Sequence, residues 1–434
     1  MAPRTVLAGV LFAAALAGAA VARAGGSLPP WSDPNDIPVP RWAKAVAPHG
    51  DEAPVFRSPS RAEPRRGSLS AGARLPLYGA VRGPGCGGRW FQIGAAAWAC
   101  SDEVELSADD PPPFVPGPAL SAPFADDGLP FHYAFVGPDG ASGYRDLEHA
   151  EEETSEVDFD RGFVVAIVEE QSAHGQRWAR TRHGVWIALR ELGVVRPTTL
   201  RGEALREGEP VDVGWVLPDH AVTYDSPKAT KAVGVRMRFD PVRRREEQKG
   251  PHGAMIRVSA DGAKEEWLPA AALAMPTVAS PPEEAGGDRA SVRWIDVDLA
   301  TQTLIAYEGT RPVYAALVST GRGAQGSETA TPVGVYRIWV KLQTSTMSNL
   351  GDEEADSRYS IEDVPYVQFF AKGVALHGAF WHHGFGAPHS HGCVNLTPVD
   401  ARWLFEFTAP RLPPGWSAVL PAGATDPATV VRVR

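Results

Sequence analysis

The sequence predicts a mostly β chain: several small strand-built units upstream and a larger mixed-sheet unit in its last third. Three observations carry that expectation. Forty prolines and forty-four glycines among 434 residues interrupt the chain too often for long helices and suit short strands joined by turns. Strand-like runs carrying tryptophan recur at a constant spacing. Alternating apolar stretches crowd the region from Trp294 to Val340, the period-two pattern of half-buried strands.

A chain of this length exceeds one ordinary core and implies about three or four domains. It opens with Met1-Ala-Pro-Arg4, an apolar run from Val6 to Ala20, and Ala22-Arg23-Ala24 before two glycines. A basic end, a short greasy core and a small-x-small site are the marks of a secretory signal, here 1–24. No later segment is apolar and long enough to span a bilayer, so the expectation is an exported chain without a transmembrane segment, in the periplasm or cell envelope. Residues 25–72 are rich in Pro, Gly, Ala and Ser with little periodicity and read as an extension or tether.

With 52 acidic against 42 basic residues the formal charge is -10, the opposite of a nucleic-acid binder's bias. Arg243 to Arg245 run straight into Glu246 and Glu247 and read as a solvated face. The acidic stretch from Glu151 reads as a loop or solvated helix face, with no metal site.

Cys86 and Cys100 flank a compact aromatic stretch and can close a disulfide in an oxidising compartment, which leaves Cys393 as the odd, candidate reactive thiol. Around those first cysteines Trp90 and Trp98 lie eight residues apart; Trp178 and Trp186 repeat the spacing, and Ile256 to Trp267 offers a third version. These units resemble bacterial SH3-like domains, and the resemblance implies small β-barrels at 73–110, 120–200 and 210–275, with tryptophans filling their cores or lining a wall glycan or peptide groove. The polar, proline-stiffened segment after Asp109 reads as a linker, and Ser280-Pro-Pro-Glu-Glu-Ala-Gly-Gly287 as a hinge.

In the last unit, Thr397 can cap a helix with Pro398 at its first position. The chemistry lies just before it. His377 ends an apolar strand-like run, and Cys393 follows in Ser390-His391-Gly392-Cys393-Val394-Asn395. A thiol needs a neighbouring base or a depressed pKa to attack at neutral pH, and imidazole is the usual base. His382, His383 and His389 enrich the loop between them without the mixed ligand spacing of a metal site.

These blocks, with Asp298-Leu-Ala-Thr-Gln302, Ser319-Thr-Gly321 and Thr331-Pro332-Val-Gly334 in order, resemble the L,D-transpeptidase catalytic domain over 291–420. The expected architecture is therefore a mixed-sheet domain of that kind preceded by SH3-like barrels. The resemblance implies Cys393 as acyl-accepting nucleophile, His377 as its proton acceptor and later donor, the Gly378 carbonyl as the group orienting that histidine, and backbone N–H groups at Gly392 and Cys393 as oxyanion donors. Tyr359, Tyr366, Ser390, His391 and Asn395 are the candidate substrate contacts; many members carry arginine where this chain has Asn395. No cofactor or metal is implied. The implied partner is the peptidoglycan stem peptide, converted to a 3-3 cross-link, or to a hydrolysed stem if water is the acceptor. A catalytically silent wall-binding protein is the competing reading.

Overall fold

The computed structural model describes residues 37–112, 127–251, 253–286, 292–351, 358–423 and 427–434; the expected signal 1–24 lies outside them. The described residues are mostly strand, with a few short helical turns and one helix of ten residues, Pro398–Phe407.

Two sheets build the C-terminal unit. In the first, Arg293–Asp298, Thr303–Glu308 and Arg311–Leu317 run antiparallel as a meander. The strand Val430–Val433, beyond the expected boundary at 420, lies between Arg293–Asp298, to which it is parallel, and Gly334–Arg337. Burial explains the placement: Val431 and Val433 face the core while Arg432 and Arg434 hold the buried Asp296 carboxylate at 2.6 and 2.9 Å. The second sheet pairs Val340–Ser348 with Ser360–Ala371, then Val374–Gly378, then Val394–Leu396. Between the sheets lie Ile295, Val297, Leu304 and Val318 from one and Phe370, Leu376, Val394 and Leu396 from the other, closed by Ala401, Leu404 and Phe405 of the helix.

That helix forms for local reasons. Thr397 accepts from the Asp400 N–H, and Pro398 occupies the first turn, where its missing N–H costs nothing. At the other end the fully buried Lys341 ammonium donates to the carbonyls of Phe405 and Thr408, satisfying groups that the helix leaves without partners.

The second sheet continues into the upstream chain on both flanks. Val340–Ser348 also pairs with Trp416–Val419, which pairs with Arg65–Ser70, and that strand with Glu52–Phe56. The tether expected at 25–72 thus contains three strands of folded sheet, Ala45–Pro48, Glu52–Phe56 and Arg65–Ser70. Its Pro/Gly-rich composition hid a short alternation whose apolar members Ala53, Val55 and Leu69 are completely buried. On the other flank Val164–Ala173 meets Ser360–Ala371 in parallel, Val164 opposite Ile361.

The tryptophan pairs are core residues. Trp90 and Trp98 pack with Phe56 beside the Cys86–Cys100 disulfide, and Trp178 and Trp186 pack with Ala150 and Ala188. Residues 213–274 form two small sheets around Val216, Ala221, Ile256 and Leu268. No helix among the described residues is long and apolar enough to cross a membrane.

Candidate functional site

Val374–Gly378 and Val394–Leu396 are adjacent parallel strands with His377 opposite Asn395. Extending that register by one residue sets Cys393 opposite Ala375. Side chains alternate between faces, so Leu376, Val394 and Leu396 enter the core between the sheets while Ala375, His377, Cys393 and Asn395 share the other face. Cys393 and His377 are therefore diagonal neighbours, a relation that separates Cα atoms by roughly 7–8 Å. Trp381 stacks its ring on His377 at 5.7 Å, and both Trp381 and Cys393 pack against the same apolar cluster.

His377 is buried, and its Nδ1 lies 3.1 Å from the Gly378 carbonyl. A carbonyl only accepts, so Nδ1 carries the proton and Nε2 holds a lone pair. Burial pulls the imidazole pKa down to about 4, with the Gly378 bond opposing. Cys393 is half-buried, its Sγ lies 3.9 Å from the Gly373 carbonyl, and burial pushes its thiol up, against a smaller opposing effect of the Ala375 amide. Both shifts favour a neutral thiol and a neutral imidazole at neutral pH over an ion pair.

The turn before Cys393 is tightly tied. Ser390 Oγ donates to the Cys393 carbonyl at 2.6 Å and accepts from the Gly392 N–H at 3.1 Å. The Gly392 N–H, expected as an oxyanion donor, is engaged by Ser390 Oγ in this structure, and Ser390 closes the turn from a buried position. Gly392 has φ +125°, a region that side chains avoid. Thr331 Oγ1 donates to the Gly392 carbonyl at 2.7 Å and accepts from Gly321 N–H at 2.8 Å. Gly321 is required there, because a Cβ would lie 2.4 Å from the Thr329 carbonyl. Gln302 in turn clamps Thr320 through both its backbone N–H, at 2.9 Å, and its hydroxyl.

Tyr359 is half-buried at the mouth, stacked on His391 at 5.6 Å, and its hydroxyl pKa is raised by burial and then by Cys393. Tyr366 does not join it. Completely buried, it donates from its hydroxyl to Gly128 O at 2.6 Å and packs near Phe405, so the expected cleft residue is a core residue that ties the upstream chain to the sheet.

Asn395 is buried and meets His382 Nε2 at 2.8 Å, while Gly384 N–H donates to His382 Nδ1 at 3.0 Å. The atom of Asn395 that meets His382 is the amide Nδ2, and its amide oxygen is buried without a partner. Burial, followed by the neighbouring His389, His377 and His383, holds the His382 pKa at about 3. His382, Arg322, Thr331 and Gln302 were not singled out as site residues in the sequence. Three of them sit in or beside blocks that the family resemblance had flagged, but nothing in their spacing discloses which backbone atom each one holds.

The sheet, the helix and the cysteine–histidine pair define a class: a mixed-sheet β domain with thiol and imidazole on neighbouring parallel strands. Residues 292–431 match the family model of the YkuD L,D-transpeptidase catalytic domain. This part of the chain is similar to the putative L,D-transpeptidase YciB of Bacillus subtilis, 26% identical over 129 residues, covering 26% of this chain and 59% of that protein's length. Among solved structures it is similar to the L,D-transpeptidase of Stackebrandtia nassauensis, 26% identical over 33% of this chain and 55% of that one, TM-score 0.22. It is also similar to the catalytic domain of the Enterococcus faecium L,D-transpeptidase, 23% identical over 33% of this chain and 98% of that one, TM-score 0.25.

Proposed function

We propose that the C-terminal domain is a cysteine-dependent peptidoglycan L,D-transpeptidase that forms 3-3 cross-links through an acyl-enzyme. The observation that carries this reading is the His377–Gly378 contact, which leaves the Nε2 lone pair on the face shared with Cys393. Sγ attacks the carbonyl of the third residue of a donor stem tetrapeptide as Nε2 takes the thiol proton. The carbonyl oxygen becomes the oxyanion. Collapse expels the terminal D-alanine, whose amine takes the proton back from His377, and leaves a thioester on Cys393. An amine of a second stem then gives its proton to His377 and displaces the sulfur, forming the new amide, and His377 returns that proton to the departing Cys393 sulfur.

A low histidine pKa favours this sequence, because the base stays unprotonated at neutral pH, while a raised thiol pKa means the thiolate forms only as the attack proceeds. No metal enters the steps. In this reading the chain acts after export, in the periplasm or cell envelope, and the upstream β units, which we read as SH3-like, bring it to the wall.

The test is mass analysis of muropeptides incubated with the protein and with Cys393→Ala. Cys393-dependent loss of D-alanine with new 3-3 dimers is the expected result. Cys393-dependent hydrolysed stems without dimers assign carboxypeptidase or endopeptidase chemistry to the same site. Unchanged profiles with retained binding to sacculi would replace the enzyme by a wall-binding protein.

A further inference from the structure

Arg322 directly follows Ser319-Thr320-Gly321 and is anchored by its backbone, whose N–H donates to the Ser390 carbonyl at 3.0 Å. Its guanidinium Nη2 lies 2.8 Å from His391 Nε2. A guanidinium keeps its charge and can only donate. His391 Nε2 is therefore the accepting nitrogen, and the proton of the neutral ring sits on Nδ1. Burial first, then the Arg322 charge and His389, lowers the His391 pKa and keeps the ring neutral. Tyr359 fixes the plane of that ring by stacking at 15°, and Tyr359 is itself close enough to Cys393 to feel its charge. His391 is exposed, and among the described residues its hydrogen bond is the one to Arg322, at the far nitrogen from Nδ1.

We propose that Arg322 is a positioning residue: its guanidinium holds His391 as the neutral Nδ1–H tautomer, so that a hydrogen-bond donor faces substrate beside Cys393. The inference rests on the acyl-transfer reading above. A donor aimed at a carbonyl oxygen gains strength as that oxygen becomes an oxyanion, whereas a lone pair in the same place repels it. Histidine in water favours the opposite tautomer, with the proton on Nε2, so without Arg322 the ring presents mainly the lone pair. The Gly392 N–H is already bound to Ser390 Oγ, which makes a further donor at this mouth consequential.

The test uses the full chain, labelled with nitrogen-15 in its histidine rings, as wild type, Arg322→Ala and Arg322→Lys, with His391→Gln to assign the signals. Long-range nitrogen–proton NMR reads tautomer and pKa, and stem-tetrapeptide turnover reads kcat and KM. The expected wild-type ring is unprotonated at Nε2. In Arg322→Ala the proton moves to Nε2, the pKa rises, and kcat falls about tenfold with KM changed far less, a partial loss compared with deleting an oxyanion donor outright; Arg322→Lys recovers part of both. An unchanged His391 tautomer in Arg322→Ala would overturn the proposal, and so would a changed tautomer with unchanged kcat. A wild-type protein inactive on stem peptides but with an Arg322-dependent tautomer would sink the acyl-transfer reading while supporting the Arg322–His391 lock.

Discussion

Two upstream units press on the site, both through buried apolar clusters, and they differ in the polar contacts that accompany the packing. The unit before residue 200 docks through an apolar cluster, Leu129, Tyr133, Val164 and Ala166 with Ile361, Val364, Val367 and Phe380, and adds polar and titratable groups to it. Tyr133 donates to the Asp363 carbonyl at 2.7 Å, Ala166 N–H donates to Glu362 Oε2 at 3.0 Å, and Arg182 pairs with the Asp363 carboxylate at 3.2 Å. The unit after residue 200 docks through an apolar core: Val213, Trp215 and Ala274 merge with Trp294, Ile305, Leu317 and Phe385 of the C-terminal domain. Both reach the loop that follows His377, the first through Tyr133 against Phe380 at 4.1 Å, the second through Phe385. The lesson is that the loop between His377 and Cys393 is shaped by the whole chain, and that its two supports should fail under different conditions.

The apolar packing should carry the larger energy. Trp215→Ala should destabilise the protein by about 3–5 kcal/mol, read as a shift in denaturant midpoint; a loss below about 1 kcal/mol would show that this joint is not fused to the core. Each polar contact at the first joint should be worth less. Asp363→Asn, which keeps the shape and removes the charge facing Arg182, should cost about 1–3 kcal/mol, and added salt should shrink the difference between wild type and variant if the pair matters.

The two regions should also part company with pH. Burial, against the opposing Ala166 bond and His183, raises the Glu362 pKa. Its folded form favours the proton, so the stability it contributes is full below the ordinary carboxylate pKa and is lost as pH rises through the raised value. Glu362→Gln should flatten that part of the stability–pH curve. His377 and His382 act in the other direction. With folded pKa values at about 4 and about 3, they bind fewer protons folded than unfolded, so stability drops as pH falls from the ordinary histidine range toward those values. For turnover, the acid limb of kcat/KM should lie near 4; a limb at the ordinary histidine value would mean that His377 is not the base. Smallest of all, Val194→Thr, at a side chain 79% exposed, should stay within about 0.5 kcal/mol of wild type by thermal melting.

Much of the C-terminal domain was legible in advance because its signals are local. Thr397 with Pro398 announces a helix start, alternation announces the strands around Trp294, and Cys393 and His377 stand in motifs. What was not legible depends on contacts between distant residues. Tyr366 looked like a cleft residue from its neighbours, yet its direction is set by Gly128 O. The segment before residue 72 looked like a tether because composition was weighed above a short alternation around Val55 and Leu69. The involvement of Gly392 N–H with Ser390, and of Arg322 with His391, follows from turn geometry that no spacing rule reports.

The placement of Val430–Val433 inside the first sheet has a consequence for synthesis. Trp294 pairs with Val430 and Gly334 with Val433, so a chain emerging from the ribosome displays His377 and Cys393 before the sheet behind them can close. The domain acquires its finished core only when residues 430–433 insert between Arg293–Asp298 and Gly334–Arg337.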